Sequence, residues 1–185
     1  MFVPGALRDA FSYAPPYYRF DGEEDETRTN YHELGLQNSR GFRALKVWLG
    51  LRQAGRAGYR EMISDDIRLA RELHRRVQAE PRLQALTQQL SISTFRYVPE
   101  DLRPRSETVD TYLNDLNEEL LHRLKGGGEV YLSNAVVDGT FALRACIVNF
   151  RTSLADVEAV PGIVLRHGDA TDRALRPTRL PSAAL

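Results

Sequence analysis

The four histidines, His32, His74, His122 and His167, stand far apart in the chain, and none forms an HExxH pair or neighbours a cysteine. His74 and His122 fall on helical stretches and read as members of polar helix faces. The adjacent carboxylates Asp65-Asp66 and Glu118-Glu119 read the same way, as solvated helix faces rather than acid–base pairs. One cysteine, Cys146, excludes an internal disulfide and any zinc site built mainly from thiolates, and it fits a reducing compartment. The run Gly126, Gly127, Gly128 follows a helix and precedes a strand, the reverse of the strand–loop–helix order that aims backbone amides at a phosphate. No catalytic residue and no metal site is expected from these groups.

The segment Gln37-Asn38-Ser39-Arg40-Gly41-Phe42-Arg43-Ala44-Leu45-Lys46-Val47-Trp48 is different. A hydroxyl at Ser39 stands where a helix is predicted to start, followed by Arg40, Arg43 and Lys46 at three-residue steps. Cations in a first turn oppose the helix dipole, so an anionic partner nearby would rationalise them. On the residues alone, a surface helix whose arginines pair with carboxylates elsewhere is the favoured reading over anion binding. Arg144 is the second candidate, a charge in mid-strand among Phe141, Leu143, Ala145 and Ile147, which must be paired or face a cleft.

The elements that must position these residues follow from periodicity. From Ser39 onward, Phe42, Leu45 and Leu49 recur at helical steps until Gly55 and Gly58 interrupt. A longer helix is predicted over residues 59–79, with Tyr59, Met62, Ile63, Ile67, Ala70, Leu73 and Val77 as its stripe and Pro81 closing it. Residues 90–98 read as a strand. A helix capped by Ser106 follows, with Val109, Tyr112, Leu113, Leu116, Leu120 and Leu124 on its apolar face and the three glycines stopping it. Strands over 129–137 and 141–150 are joined by the turn dipeptide Asp138-Gly139. Ser153 with Asp156 forms a capping-box start for a last helix, which Pro161-Gly162 should kink or split. At the other end, aromatic residues Phe11, Tyr13, Tyr17, Tyr18 and Phe20 crowd around Pro15 and Pro16, which favour extended backbone and leave rings that another surface must cover.

Composition bounds the rest. Lysine plus arginine (25) balances aspartate plus glutamate (25), so no net field favours nucleic acid or an acidic membrane. No stretch approaches the length of a membrane span, and residues 1–7 lack the plan of a signal peptide, so a cytoplasmic protein is expected. Only Lys46 and Lys125 are lysines.

The run TNYHELGLQNSRGFRALKVWLGLRQAGRAGY resembles the stretch that follows the cofactor lysine in group II decarboxylases, the aromatic-amino-acid and tyrosine decarboxylase family. LRDAFSYAPPYYRFD upstream, and FRYVP and FALRACIVNFRTS downstream, are similar to further parts of that family in the same order. The resemblance implies a pyridoxal 5'-phosphate enzyme that decarboxylates amino acids as a homodimer. It also implies that the Schiff-base lysine, the stacking histidine and the aspartate facing the pyridine nitrogen belong to a large domain not present here. Neither Lys46 nor Lys125 matches that lysine, so the chain alone is expected to be inactive. By the same resemblance Ser39 and Arg40 lie near the cofactor or a subunit contact. Arg144 matches an arginine that holds the substrate carboxylate in glutamate decarboxylases, with a structural salt bridge as the alternative.

The expected fold is α/β (α+β), the small C-terminal domain of a fold-type-I enzyme: a short antiparallel sheet with helices on one face, preceded by a long helical connector. The expected divisions are residues 1–38, an extended remnant of the large domain; 39–80, the helical connector; 81–168, the small domain; and 169–185, a disordered tail. The expected partners are a second copy or the missing large domain, and a small-molecule amino acid. A reading from another class is a non-catalytic α/β module that pairs with another protein.

Overall fold

The computed structural model describes residues 4–13, 31–37, 39–102 and 106–180. The chain divides into two compact units, Met1–Gln53 and Ala54–Leu185, so the expected connector over 39–80 is shared between them. The expectations for Pro15, Pro16, Tyr17, Tyr18, Phe20 and the acidic run at 22–26 lie outside the described residues.

In the first unit, helix α1 spans Pro4–Phe11 and a 3-10 turn spans Tyr31–Leu34. Over residues 4–11 the helix replaces the expected extended conformation. Pro4 sits at the first helical position, where its fixed φ suits a helix and its missing N–H costs nothing, and Ala6, Leu7 and Ala10 are good helix formers. Arg8 pairs with Glu33 at 2.9 Å. The first part of helix α2, Arg43–Ala79, closes this unit. It begins four residues beyond Ser39, after Gly41, whose low helix propensity delays the start. The Arg43 amide reaches the Gly41 carbonyl at 2.8 Å instead of a side-chain cap. Ser39 therefore does not cap α2, and only Arg43 and Lys46 of the three cations lie within it.

The second unit holds the rest of α2, which is interrupted at Gly55, and an antiparallel sheet in the order β1-β2-β4-β3. The strands are β1 Leu83–Gln89, β2 Ile92–Tyr97, β3 Ser133–Val137 and β4 Thr140–Cys146. Helix α3, Glu107–Gly127, links β2 to β3, and α4, Leu154–Arg179, follows β4. The core joins Leu69, Leu73 and Val77 of α2 to Phe95, Tyr97 and Leu143 of the sheet and to the leucine stripe of α3.

Local signals behave as expected in α3. Ser106 accepts the Val109 amide, all six expected apolar positions are buried, and Gly128 ends the helix at φ 73°. Asp138 (φ 48°) and Gly139 (φ 77°) form the β3–β4 turn, both in the left-handed conformation that a two-residue hairpin favours. Strand β4 stops at Cys146, short of the expected 150, because Asn149 turns the chain: its side-chain oxygen takes the Arg151 amide at 3.0 Å.

Two further corrections concern long-range order. Strand β1 was not expected. It pairs with β2 from Leu83↔Tyr97 to Gln89↔Ile92 across a bulge. Helix α4 runs without a break through Pro161 to Arg179, where a kink and then a disordered tail from 169 were expected. Its buried face, Val157, Val160, Val164, Gly168 and Thr171, carries it past the hydrogen bond lost at Pro161. Its last turns are then tied by polar groups. The buried Tyr97 hydroxyl donates to Asp169 at 2.6 Å, and Arg82 donates to the same carboxylate at 2.9 Å. Tyr112 donates to Asp172, and Arg176 joins Asp172 to Asp101. Burial, and then the Asp169 and Asp172 carboxylates, push both phenols well above their ordinary range. Residues 181–185 lie outside the described residues.

Candidate functional site

Arg144 stands on β4, directly opposite Thr94 of β2 and Ser133 of β3, so the three side chains share one face of the sheet. Its guanidinium is half-buried and donates from Nη1 to the Ser133 hydroxyl at 3.4 Å. Thr94 is occupied on its other side, its hydroxyl lying 2.7 Å from that of Thr87 on β1. Among the described residues no carboxylate lies within ion-pair distance of Arg144. Other arginines of the same unit are matched: Arg82 with Asp169, Arg96 with Asp110, and Arg176 with Asp172 and Asp101. Arg144 therefore keeps an unneutralised cation on a rigid central strand, where a planar donor fork can receive a carboxylate or a phosphate.

Arg96 is the basic residue that sequence reading missed. It is buried on β2, donates to Gln84 and Asp110, and leaves Nη1 without a partner. Its position between Phe95 and Tyr97 was the available signal, an arginine in an apolar strand just as at Arg144. Ser39 and Arg40 are neighbours on an exposed stretch ahead of α2 and belong to the first unit, whereas Arg144 belongs to the second.

Among the described residues, two cavities of the second unit bear on the site. One, of about 570 Å³, is bordered by Glu61, Met62, Asp65, Asp66, Asn149 and Phe150. Burial and the adjacent Asp65 raise the Asp66 carboxyl above its ordinary value. The other, of about 310 Å³, is mostly apolar, with Leu73, Leu132, Ile147, Val160 and Ile163 in its wall and Cys146 beside them. A pyridoxal phosphate group needs cations for its phosphate and an amine for its aldehyde. The first cavity offers three carboxylates and a single arginine, Arg68, which Asp65 already holds at 2.7 Å. The second carries Glu129 and Asp156 and no cation. Lys46 and Lys125 are both exposed and line neither cavity. The described residues do not by themselves form a cradle for that cofactor. Among them no group of three or more His, Cys, Asp or Glu side chains gathers to hold a metal ion, and no helix is long and apolar enough to cross a membrane.

Residues 4–98 match the pyridoxal-dependent decarboxylase conserved domain, and the chain belongs to that family, whose cofactor is pyridoxal phosphate. An aromatic-L-amino-acid decarboxylase of Bacillus atrophaeus is 32% identical over 82% of this chain and 31% of its own length. Tyrosine decarboxylase 3 of Petroselinum crispum is 27% identical over 96% of this chain and 34% of its own. The chain thus spans about a third of the length of the curated relatives it matches. In fold it is similar to the crystal structure of mouse CSAD, with a TM-score of 0.74 at 18% identity, over 90% of this chain and 35% of that one.

Proposed function

We propose that this chain is the C-terminal part of a pyridoxal-phosphate-dependent amino-acid decarboxylase, a carboxy-lyase for aromatic L-amino acids, inactive alone because the Schiff-base lysine is supplied by a large domain. The observation that carries the reading is Arg144, a half-buried guanidinium with a hydroxyl but no carboxylate beside it. In this reading it holds the substrate carboxylate by its planar fork. The names of the relatives from Bacillus atrophaeus and Petroselinum crispum support the aromatic substrate class. Ser39 and Arg40, exposed at the approach to α2, meet the cofactor region or a subunit contact, and the working form is a cytoplasmic homodimer.

The test has two parts. The chain alone, incubated with pyridoxal phosphate and reduced with borohydride, is expected to carry no adduct on Lys46 or Lys125 and to release no carbon dioxide from L-tyrosine or L-tryptophan. A reducible adduct on either lysine accompanied by turnover would overturn the inactivity. Fused behind the large domain of the Bacillus relative, the chain is expected to restore carbon dioxide release. Arg144→Lys or Arg40→Lys should then lower kcat/KM at least about tenfold, roughly 1.4 kcal/mol of transition-state stabilisation. Arg68→Lys, on an exposed face of α2, should leave it unchanged. A fusion that binds pyridoxal phosphate yet decarboxylates neither amino acid would sink the decarboxylase reading.

A further inference from the structure

We propose that the second unit carries a small-molecule site, distinct from Arg144, for a compact apolar ring bearing an ammonium group. The site is the cavity of about 310 Å³ walled by residues of α2, β4 and α4. Its apolar wall belongs to the core: Leu73, Leu132, Ile147, Val157 and Val160 are buried, and Ile163 packs against them. An apolar cavity of about 150 Å³ already takes a benzene ring. Ligand sites in general begin at about 300 Å³ and combine apolar walls with a few placed polar groups. This cavity therefore has room for a ring with a short polar arm.

The polar part of the wall decides the charge of that arm. Among the described residues it includes the carboxylates of Glu129 and Asp156 and no lysine or arginine. Glu129 is already matched, by Arg166 at 2.6 Å and His167 at 3.0 Å. Asp156 is not. Its Oδ2 accepts from the Ser153 amide and hydroxyl, both uncharged, and its Oδ1 accepts from no described residue. The Ser153 amide, and then the hydroxyl, hold the Asp156 carboxyl below the usual carboxylate range, so it is ionised at neutral pH. The capping box at the start of α4 also fixes its position. An ammonium can donate to Oδ1 in a charge-assisted hydrogen bond while its ring fills the cavity, whereas a carboxylate ligand would be repelled. The site rests on this lining alone and is independent of the role given to Arg144.

The experiment uses the whole 185-residue chain, whose one cysteine, Cys146, is exposed and lies in the same wall. Its rate of reaction with the neutral thiol reagent 4,4'-dithiodipyridine reports whether the cavity is filled. Benzylamine is expected to slow that reaction saturably, by at least about threefold once its concentration exceeds twice the half-saturating value. Benzoate, of nearly the same size and opposite charge, should leave the rate unchanged. Asp156→Asn keeps a side-chain oxygen for Ser153 and removes the charge. It should raise the half-saturating benzylamine concentration at least about fivefold. Glu118→Gln, which removes a charge from an exposed position on α3, should not. Protection by benzoate equal to that by benzylamine, or no saturable protection at all, would overturn the site. So would an Asp156→Asn chain with the parent's half-saturation. If Asp156→Asn does not fold, the comparison of benzylamine with benzoate on the parent decides.

Discussion

At Gly168 the backbone of α4 runs so close to the Tyr97 ring that a Cβ there would lie 2.8 Å from ring carbons. A ring whose hydroxyl is held by Asp169 has little room to withdraw. Gly168→Ala should therefore destabilise the chain by about 1–3 kcal/mol through overpacking, even though alanine is the better helix former. Gly162→Ala, exposed in the same helix with open space around its Cβ, should raise stability by up to about 1 kcal/mol. Urea midpoints compare the two, and equal shifts would contradict the packing account. His74 supplies a pH dependence at the same scale. Its Nδ1 lies 3.2 Å from the hydroxyl of fully buried Ser93, and burial lowers its pKa from the ordinary 6.5. Below pH 6.5 the unfolded chain takes up a proton that the folded one resists, so stability falls as the pH drops through the folded value. Between pH 7.5 and 5.5 a His74→Gln chain should lose less stability than the parent in urea titrations. An unchanged slope would mean that His74 is not the group responsible.

At the scale of elements, α3 completes the sheet where two strands part. The β2–β4 ladder ends at Phe95↔Leu143. Two residues on, Asn117 accepts the Tyr97 amide at 2.8 Å and donates to the Tyr97 carbonyl at 2.9 Å, while Asn114 accepts the Phe141 amide at 2.8 Å. Two asparagines one turn apart thus occupy backbone groups that a neighbouring strand would otherwise pair. Asn117→Leu keeps the volume and strands the amide and carbonyl of Tyr97, which should cost about 2–5 kcal/mol; chemical denaturation would show it, and a loss below about 1 kcal/mol would show that water replaces the amide. Elements with local signals were legible from sequence: the Ser106 cap, the Asp138-Gly139 turn, and the Ser153 and Asp156 capping box, whose reciprocal bonds are both present. Strand β1 was not, because Gln84, Gln88 and Gln89 have little strand preference of their own and are held by pairing with β2. The end of α4 was not legible for a related reason. Asp169, Asp172 and Arg176 find partners 60 to 87 positions away, beyond the reach of a periodicity argument. Arg144 was half legible: its burial could be read from its strand, and the lack of a carboxylate partner could be read only from the fold.

Over the molecule as a whole, apolar surface is distributed unevenly. The leucine stripe of α3 is fully covered, whereas in α2 burial sets in only at Leu69. Ahead of that point Tyr59, Met62 and Ile63 are open, and so are Leu45, Trp48, Leu49 and Leu51, with Phe42 at 74% exposure just before the helix. The β4–α4 turn adds Val148 and Phe150, the latter 78% exposed. Single exposed apolar residues are ordinary on a protein surface, but in the first unit Leu45, Trp48, Leu49 and Leu51 follow one another along successive turns of α2, the kind of apolar surface that association covers. Lys46 and Arg52 dilute the run without interrupting it, and Arg52 itself lies over the Trp48 ring at 5.6 Å. The purified chain should therefore self-associate at micromolar concentration and bind a hydrophobic dye. Trp48→Glu with Leu49→Lys should reduce both, while leaving the unfolding midpoint of the Ala54–Leu185 unit unchanged. Light scattering behind size-exclusion chromatography, run on parent and variant, reads the first effect directly. A parent that elutes as a monomer without dye binding would show that this face needs no cover.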